Sequence, residues 1–182
     1  MEDYALVLDY LPQGLPTDKS FKKEPLVLAI GESEFKLFEL VPKSDAIITI
    51  GDRVYIGKDP QMRDKIVHVR RRIGYEELTA AAQAELPYIL QEIVEEQEER
   101  FVKFFNEAQA ITTRFHMLEL IPGLGKKTMW AIVEERKKGP FQNYEDLAKR
   151  VTTVKQPQKL IAKRIEDELS DPNQKYRIFV SR

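Results

Sequence analysis

The residues best placed for chemistry in this chain are two glycines and two lysines. Residues 118–131 read Leu-Glu-Leu-Ile-Pro-Gly-Leu-Gly-Lys-Lys-Thr-Met-Trp-Ala. Gly123 and Gly125 flank one apolar residue, Leu124, so the backbone can turn sharply and approach a ligand with no Cβ in the way. A helix is expected before the turn, and another starting near Lys126. The free N–H groups of that second helix's first turn, with the positive end of its dipole, make an anion site. Lys126 and Lys127 add formal charge at the same place. Such a cradle suits a nucleic-acid phosphate and carries no sequence information. A purely structural helix-turn-helix is the alternative reading of the same letters.

Gly-Lys-Lys-Thr also invites comparison with a nucleotide-hydrolysing phosphate loop. That motif needs a glycine five positions before the Gly of Gly-Lys. Leu120 stands there, and the preceding segment reads as helix rather than strand.

Other catalytic chemistry finds little purchase. The chain has two histidines, His68 and His116, and neither has a companion at metal-ligand spacing. There is no cysteine, which excludes disulfides, thiolate metal sites and cysteine nucleophiles, and which fits a reducing cytosol. No Gly-x-Ser-x-Gly elbow occurs. The carboxylates gather along one helix instead of converging as a pair across strands. The expectation is a non-enzymatic protein with no cofactor and no metal. A hydrolase whose carboxylates are assembled by the fold is the remaining enzyme reading.

The turn resembles the hairpin of the helix-hairpin-helix family, which binds DNA or RNA through the backbone, over about 110–152. The resemblance implies phosphate contacts from Gly123, Leu124, Gly125, Lys126 and Lys127, with Thr128 on the same surface. It makes Ile121 and Leu124 the anchors of the hairpin in the core. Where that family usually carries a small residue, this chain has Met129, which predicts a wider spacing of the two helices. The string Pro140-Phe141 followed by Tyr144, Asp146 and Leu147 also recurs after such hairpins.

The elements that must position this turn follow from length and pattern. The 182 residues are 42% hydrophobic and 9% aromatic, enough for one or two domains with a sizeable core. The 29 basic and 30 acidic residues leave −1 overall, so any case for nucleic acid rests on charge distribution. Residues 53–72 hold seven basic residues and two acids; 76–107 hold nine glutamates against Arg100 and Lys103; 149–164 hold six basic residues and no acid. These blocks are either solvated faces or two basic surfaces separated by an acidic strut.

Strand-forming runs occupy 4–11, 26–30, 35–41, 53–56 and 66–73. Five short strands with free edges favour closure into a small barrel, OB-like first and SH3-like second. Alternation would set His68, Arg70 and Arg72 on one face. With Arg53 and Tyr55 that face could hold bases and phosphates, although Tyr55 also suits the barrel wall and the arginines also suit a solvated edge.

Thr79 could cap a helix to Leu86, and Pro87 would open the next one. Leu90, Ile93, Gln97, Phe101, Phe104, Ala108 and Ile111 form an amphipathic stripe whose phenylalanines read as core. Short helices are expected over 126–137, from Asn143 and from Pro157, the last ending near Leu169. Residues 176–180 are β-like.

The fold expectation is therefore α+β, a small five-stranded OB-like β-barrel followed by an all-α helix-hairpin-helix domain. The barrel takes 1–74, a helical linker 75–112, and the hairpin domain with its β-like tail 113–182. This whole arrangement is similar to an uncharacterised archaeal family, and the similarity implies nucleic-acid binding, RNA before DNA. A protein–protein adaptor, docking through the acidic helix or 176–180, is the alternative. The acidic N-terminus lacks a signal-peptide pattern, and no apolar run approaches the roughly 20 residues of a membrane span. A cytoplasmic protein without a membrane partner is expected.

Overall fold

A computed structural model describes residues 1–16 and 23–182. Contacts divide the chain into two compact units, 1–89 with 168–182, and 90–167. The segment 75–112, expected as a linker, is shared between the two. The tail, expected in the hairpin domain, lies in the first unit.

The first unit holds β1 (Tyr4–Leu11), β2 (Leu26–Gly31), β3 (Leu37–Pro42), β4 (Arg53–Tyr55) and β5 (Ile66–Ile73). Their order is β4-β1-β2-β3-β5, every neighbouring pair antiparallel, and the sheet curls into a half-barrel. No ladder joins β4 to β5 among the described residues, so the sheet is open where the sequence predicts a closed barrel. Its edges are protected in other ways: β4 is three residues long, and β5 is bulged and charged.

One face of the sheet packs Ala5, Val7, Val27, Ala29, Leu40, Val54 and Ile66 together. Leu6, Leu8, Leu28 and Ile30 are buried as well, so the central strands are apolar on both sides. Leu78, Ala82, Leu86 and Ile89, from the approach to α1 and its first turns, are also buried in this unit.

Two buried carboxylates tie down backbone in this unit. Glu2 accepts from the N–H groups of Ser33 (2.8 Å), Glu34 (3.0 Å) and Lys36 (3.3 Å), fixing the β2–β3 turn. A Cβ at Gly31 would collide with that carboxylate, so a larger residue there would push Glu2 off the turn. Glu168 accepts from Ile178 (3.1 Å), Phe179 (3.1 Å) and Val180 (3.0 Å). The β-like tail therefore forms no strand, because its donors end on a side chain.

α1 (Ala80–Glu96) gives 80–89 to the first unit and 90–96 to the second. Thr79 caps it as expected: its Oγ1 accepts from Ala82 N (3.1 Å) and donates to Asp9 Oδ2 (2.6 Å). Pro87 lies inside α1 rather than opening a new helix. The break comes instead at Gln97, which leaves helical geometry before α2 (Glu98–Glu107).

The second unit continues with a two-stranded hairpin, β6 (Ala110–Thr112) and β7 (Phe115–His116), where the sequence predicts helix. Then come α3 (Lys126–Arg136), α4 (Tyr144–Arg150) and α5 (Pro157–Ser170), whose last turn reaches the first unit. Phe101, Phe105, Leu118, Ile132, Leu147 and Ile165 are fully buried, which places the helix phenylalanines in the core. Asn143 caps α4 by accepting from Asp146 N (2.7 Å). Among the described residues no helix is long and apolar enough to cross a membrane.

Candidate nucleic-acid interface

The glycine turn is built by short-range hydrogen bonds. Ile121 N donates to Leu118 O (3.2 Å) and Leu124 N to Ile121 O (3.1 Å). Gly123 sits at φ +86°, a region that favours glycine. Ile121 and Leu124 are buried. The helix expected before the turn is a single 3₁₀ turn, Met117–Leu120. Here local capping wins: His116 Nδ1 accepts from Leu118 N (3.0 Å), and Glu119 accepts from His116 N (2.7 Å). His116 is thus a structural acceptor, and burial, then the nearby Arg136, pushes its pKa down.

Gly125 is the N-cap of α3 and offers no side-chain cap. The N–H groups of Lys126, Lys127 and Thr128 open the helix beyond it. A Cβ on Gly125 would meet nothing within 4 Å, so the first turn of α3 is open on that side. Lys127 is exposed and without an ion-pair partner among the described residues. Lys126 is different. Its Nζ turns back to Arg114 O (2.8 Å) and Glu119 Oε1 (3.1 Å). The backbone bond from His116, then Lys126, holds the Glu119 carboxyl below its usual range. Thr128 Oγ1 lies 3.5 Å from Thr153 Oγ1.

Arginines brace the turn from behind. Arg164 is buried and donates to Leu120 O (3.2 Å). At the far end of α3, Arg150 donates to the carbonyls of Glu135 (2.8 Å), Gly139 (2.6 Å) and Pro140 (3.2 Å). It also pairs with Glu135 and Asp146 and lies over the Phe141 ring. These bonds satisfy carbonyls that a helix end leaves without partners.

The basic strand of the first unit is arranged otherwise. Arg53 forms a bidentate pair with Glu32 (3.0 and 2.7 Å) and stacks on Tyr4. Tyr4 packs edge-on against Tyr55. In β5 the strict alternation fails. Its register sets Arg72 opposite Phe38, Arg71 opposite Glu39, Val69 opposite Leu40, His68 opposite Val41 and Ile66 opposite Pro42. Arg70 and Val67 are extra residues at two bulges. His68 therefore shares a face with Arg71, while Arg72 lies on the opposite face with Leu40, so His68, Arg70 and Arg72 do not form one row. Arg71 pairs with buried Glu39 (3.0 Å) and with Glu77 (2.9 Å), and Arg70 stands 3.9 Å from Glu39. Arg72 donates to Ser181 O (2.7 Å). His68 is exposed.

Two residues that the sequence reading did not single out sit beside the glycine turn. Arg114, at the tip of the β6–β7 hairpin, is exposed, and Trp130 is 57% exposed. Both line a recess of about 100 Å³ with Thr112, Phe115, Lys126 and Met129. The available signal was spacing, because Trp130 follows Lys126 by four residues and shares its helix face. Among the described residues no group of three or more histidine, cysteine or acidic side chains could hold a metal.

Residues 1–181 match the model of the family described as "Protein of unknown function (DUF655)". The chain is 53% identical over 180 residues to the uncharacterised protein MJ0038 of Methanocaldococcus jannaschii, covering 98% of this chain and 80% of that one. The crystal structure of Af1531 from Archaeoglobus fulgidus, of the same family, superposes with a TM-score of 0.92 at 48% identity, covering 99% of this chain and 100% of that one. The chain belongs to this family.

Proposed function

We propose that this family member is a non-enzymatic nucleic-acid-binding protein that holds phosphates at the start of α3, RNA in preference to DNA. The observation that carries the reading is the uncapped first turn of α3. Open space at Gly125 and the exposed Lys127 lie beside it. Backbone donors and one exposed lysine, unpaired among the described residues, fit a phosphate and ignore base identity. The turn thus takes the part of a helix-hairpin-helix phosphate cradle, although its first helix is reduced to a 3₁₀ turn. The basic strand of the half-barrel, in the part of an OB-like surface, would add a second contact through His68 and Arg70, with Arg53 and Arg72 holding its shape.

The test is fluorescence anisotropy with labelled single- and double-stranded RNA and DNA at low and moderate salt. Lys127→Glu is the cleanest variant, because Lys126 also ties the hairpin to Arg114 and Glu119. Salt-sensitive binding that Lys127→Glu weakens supports the reading. A folded protein that binds no probe at low salt would remove it.

A further inference from the structure

Trp130 is the chain's one tryptophan, and more than half of its surface faces solvent. Its fully buried neighbour in the helix is Ile132, so α3 leaves its largest side chain outside the core. Among the described residues no other ring and no cation lies over the indole. A single exposed apolar residue needs no explanation, but the surroundings of this one are specific. Lys126 and Lys127 precede it by four and three residues, which puts both beside it on the helix surface. Arg114 closes the other side across the recess, with no ion-pair partner among the described residues. Glu134, one turn further on, is neutralised by Lys137 at 2.9 Å.

The surface is thus a bare aromatic ring bordered by Arg114, Lys126 and Lys127, with the recess's one carboxylate, Glu119, already paired with Lys126. Its charge complements a polyanion, and its ring complements a flat π-face. A nucleotide has both. At 1.5 Å of rise per residue, Trp130 lies about 6 Å along α3 from the first-turn donors, within the reach of one sugar between phosphate and base. An acidic peptide would satisfy the cations and leave the ring bare. A duplex offers phosphates, but its bases are already stacked on both faces, so only an unpaired strand can present a base to the indole.

We propose that Trp130, framed by Arg114 and Lys127, is a base-stacking platform that makes this site select single-stranded nucleic acid over duplex. The proposal rests on the phosphate reading above. It deepens that reading by naming the form of the ligand.

The intact protein carries its own reporter. Trp130 emission is followed while the protein is titrated with oligouridine, oligodeoxythymidine, a duplex, inorganic polyphosphate and polyglutamate. The expected result is quenching by both single strands, with RNA against DNA read from the two arms, and none by polyphosphate. Trp130→Ala should weaken labelled single strands by about tenfold and leave polyphosphate binding unchanged. Trp130→Phe should keep most of the affinity, which separates stacking from misfolding. Arg114→Ala should lower affinity for every polyanion. Single strands that bind without quenching, resist Trp130→Ala and yet respond to Lys127→Glu would overturn the platform and leave the phosphate reading standing. Duplex bound as tightly as single strand, or equal quenching by polyglutamate, would overturn it too. No binding of any polyanion would remove both readings.

Discussion

In β4 and β5, the arginines end on acceptors that the protein itself supplies. Arg53 is held by Glu32, Arg71 by Glu39 and Glu77, and Arg72 by the carbonyl of Ser181. At the start of α3 the balance differs. Lys126 is held, but Lys127 and the uncapped backbone donors face outward. The strand is the richer of the two in arginine, yet at the helix start Lys127 is the cation without an ion-pair partner among the described residues. A count of basic residues therefore misleads about where an anion would settle. What matters is the charge left after each cation's nearest carboxylate is subtracted and the donors left after its hydrogen bonds are made, since an exposed ion pair has little field to offer at a distance in salt.

Several substitutions would break or sharpen this contrast. The largest effect should come from Glu168→Ala. Three backbone donors lose a buried acceptor, and the tail that holds Arg72 loosens. Urea unfolding should show a loss of about 3 kcal/mol. If loosened Arg72 then raised affinity for nucleic acid above that of Lys127-intact wild type, the strand would be the stronger latent site. Next, Lys127→Glu should lower affinity by roughly tenfold at low salt and reduce the salt slope by about one. Arg70→Ala with Arg72→Ala should cost less than about threefold, because paired arginines have less to give. A double variant in β5 that lost more than Lys127→Glu would invert the comparison. The smallest effect is a titration. The His116 ring protons should report a midpoint below the ordinary histidine value of about 6.5. A lowered folded pKa means that His116 favours the fold above the unfolded value, and that this contribution is lost as pH falls through the folded one. A midpoint at or above the ordinary value would remove its role as an acceptor for Leu118.

Much of the scaffold was legible in the residues. β1 and β5 lie where the strand-forming runs do, because β-branched and aliphatic residues in short runs bounded by Gly, Pro and Asp carry a strong local signal. Thr79 and Asn143 were legible as caps for the same reason, since each acts within three residues. The hairpin of β6 and β7 was not, because strands of three and two residues are too short to show a period. Pro87 misled because α1 tolerates the missing donor within its length. The bulges of β5 were invisible because they answer to partners on β3, 32 residues away in the case of Arg71 and Glu39. That is also why the candidate site was only half legible. The glycines and lysines announce the turn, but which cations remain available depends on contacts that no local pattern records.

The clamp that Glu168 places on 178–180 has a consequence for how the molecule is made. The unit containing the sheet is interrupted: its strands are complete by residue 73, yet its closing segment lies beyond all of 90–167. During synthesis the whole of the inserted unit is added to the chain while its host still lacks 168–182. The host's strands can pair as they are made, but Arg72 has no Ser181 carbonyl to donate to until the tail follows the inserted unit. Order of birth and order of completion are thus reversed along this chain, and the unit that starts first is completed last.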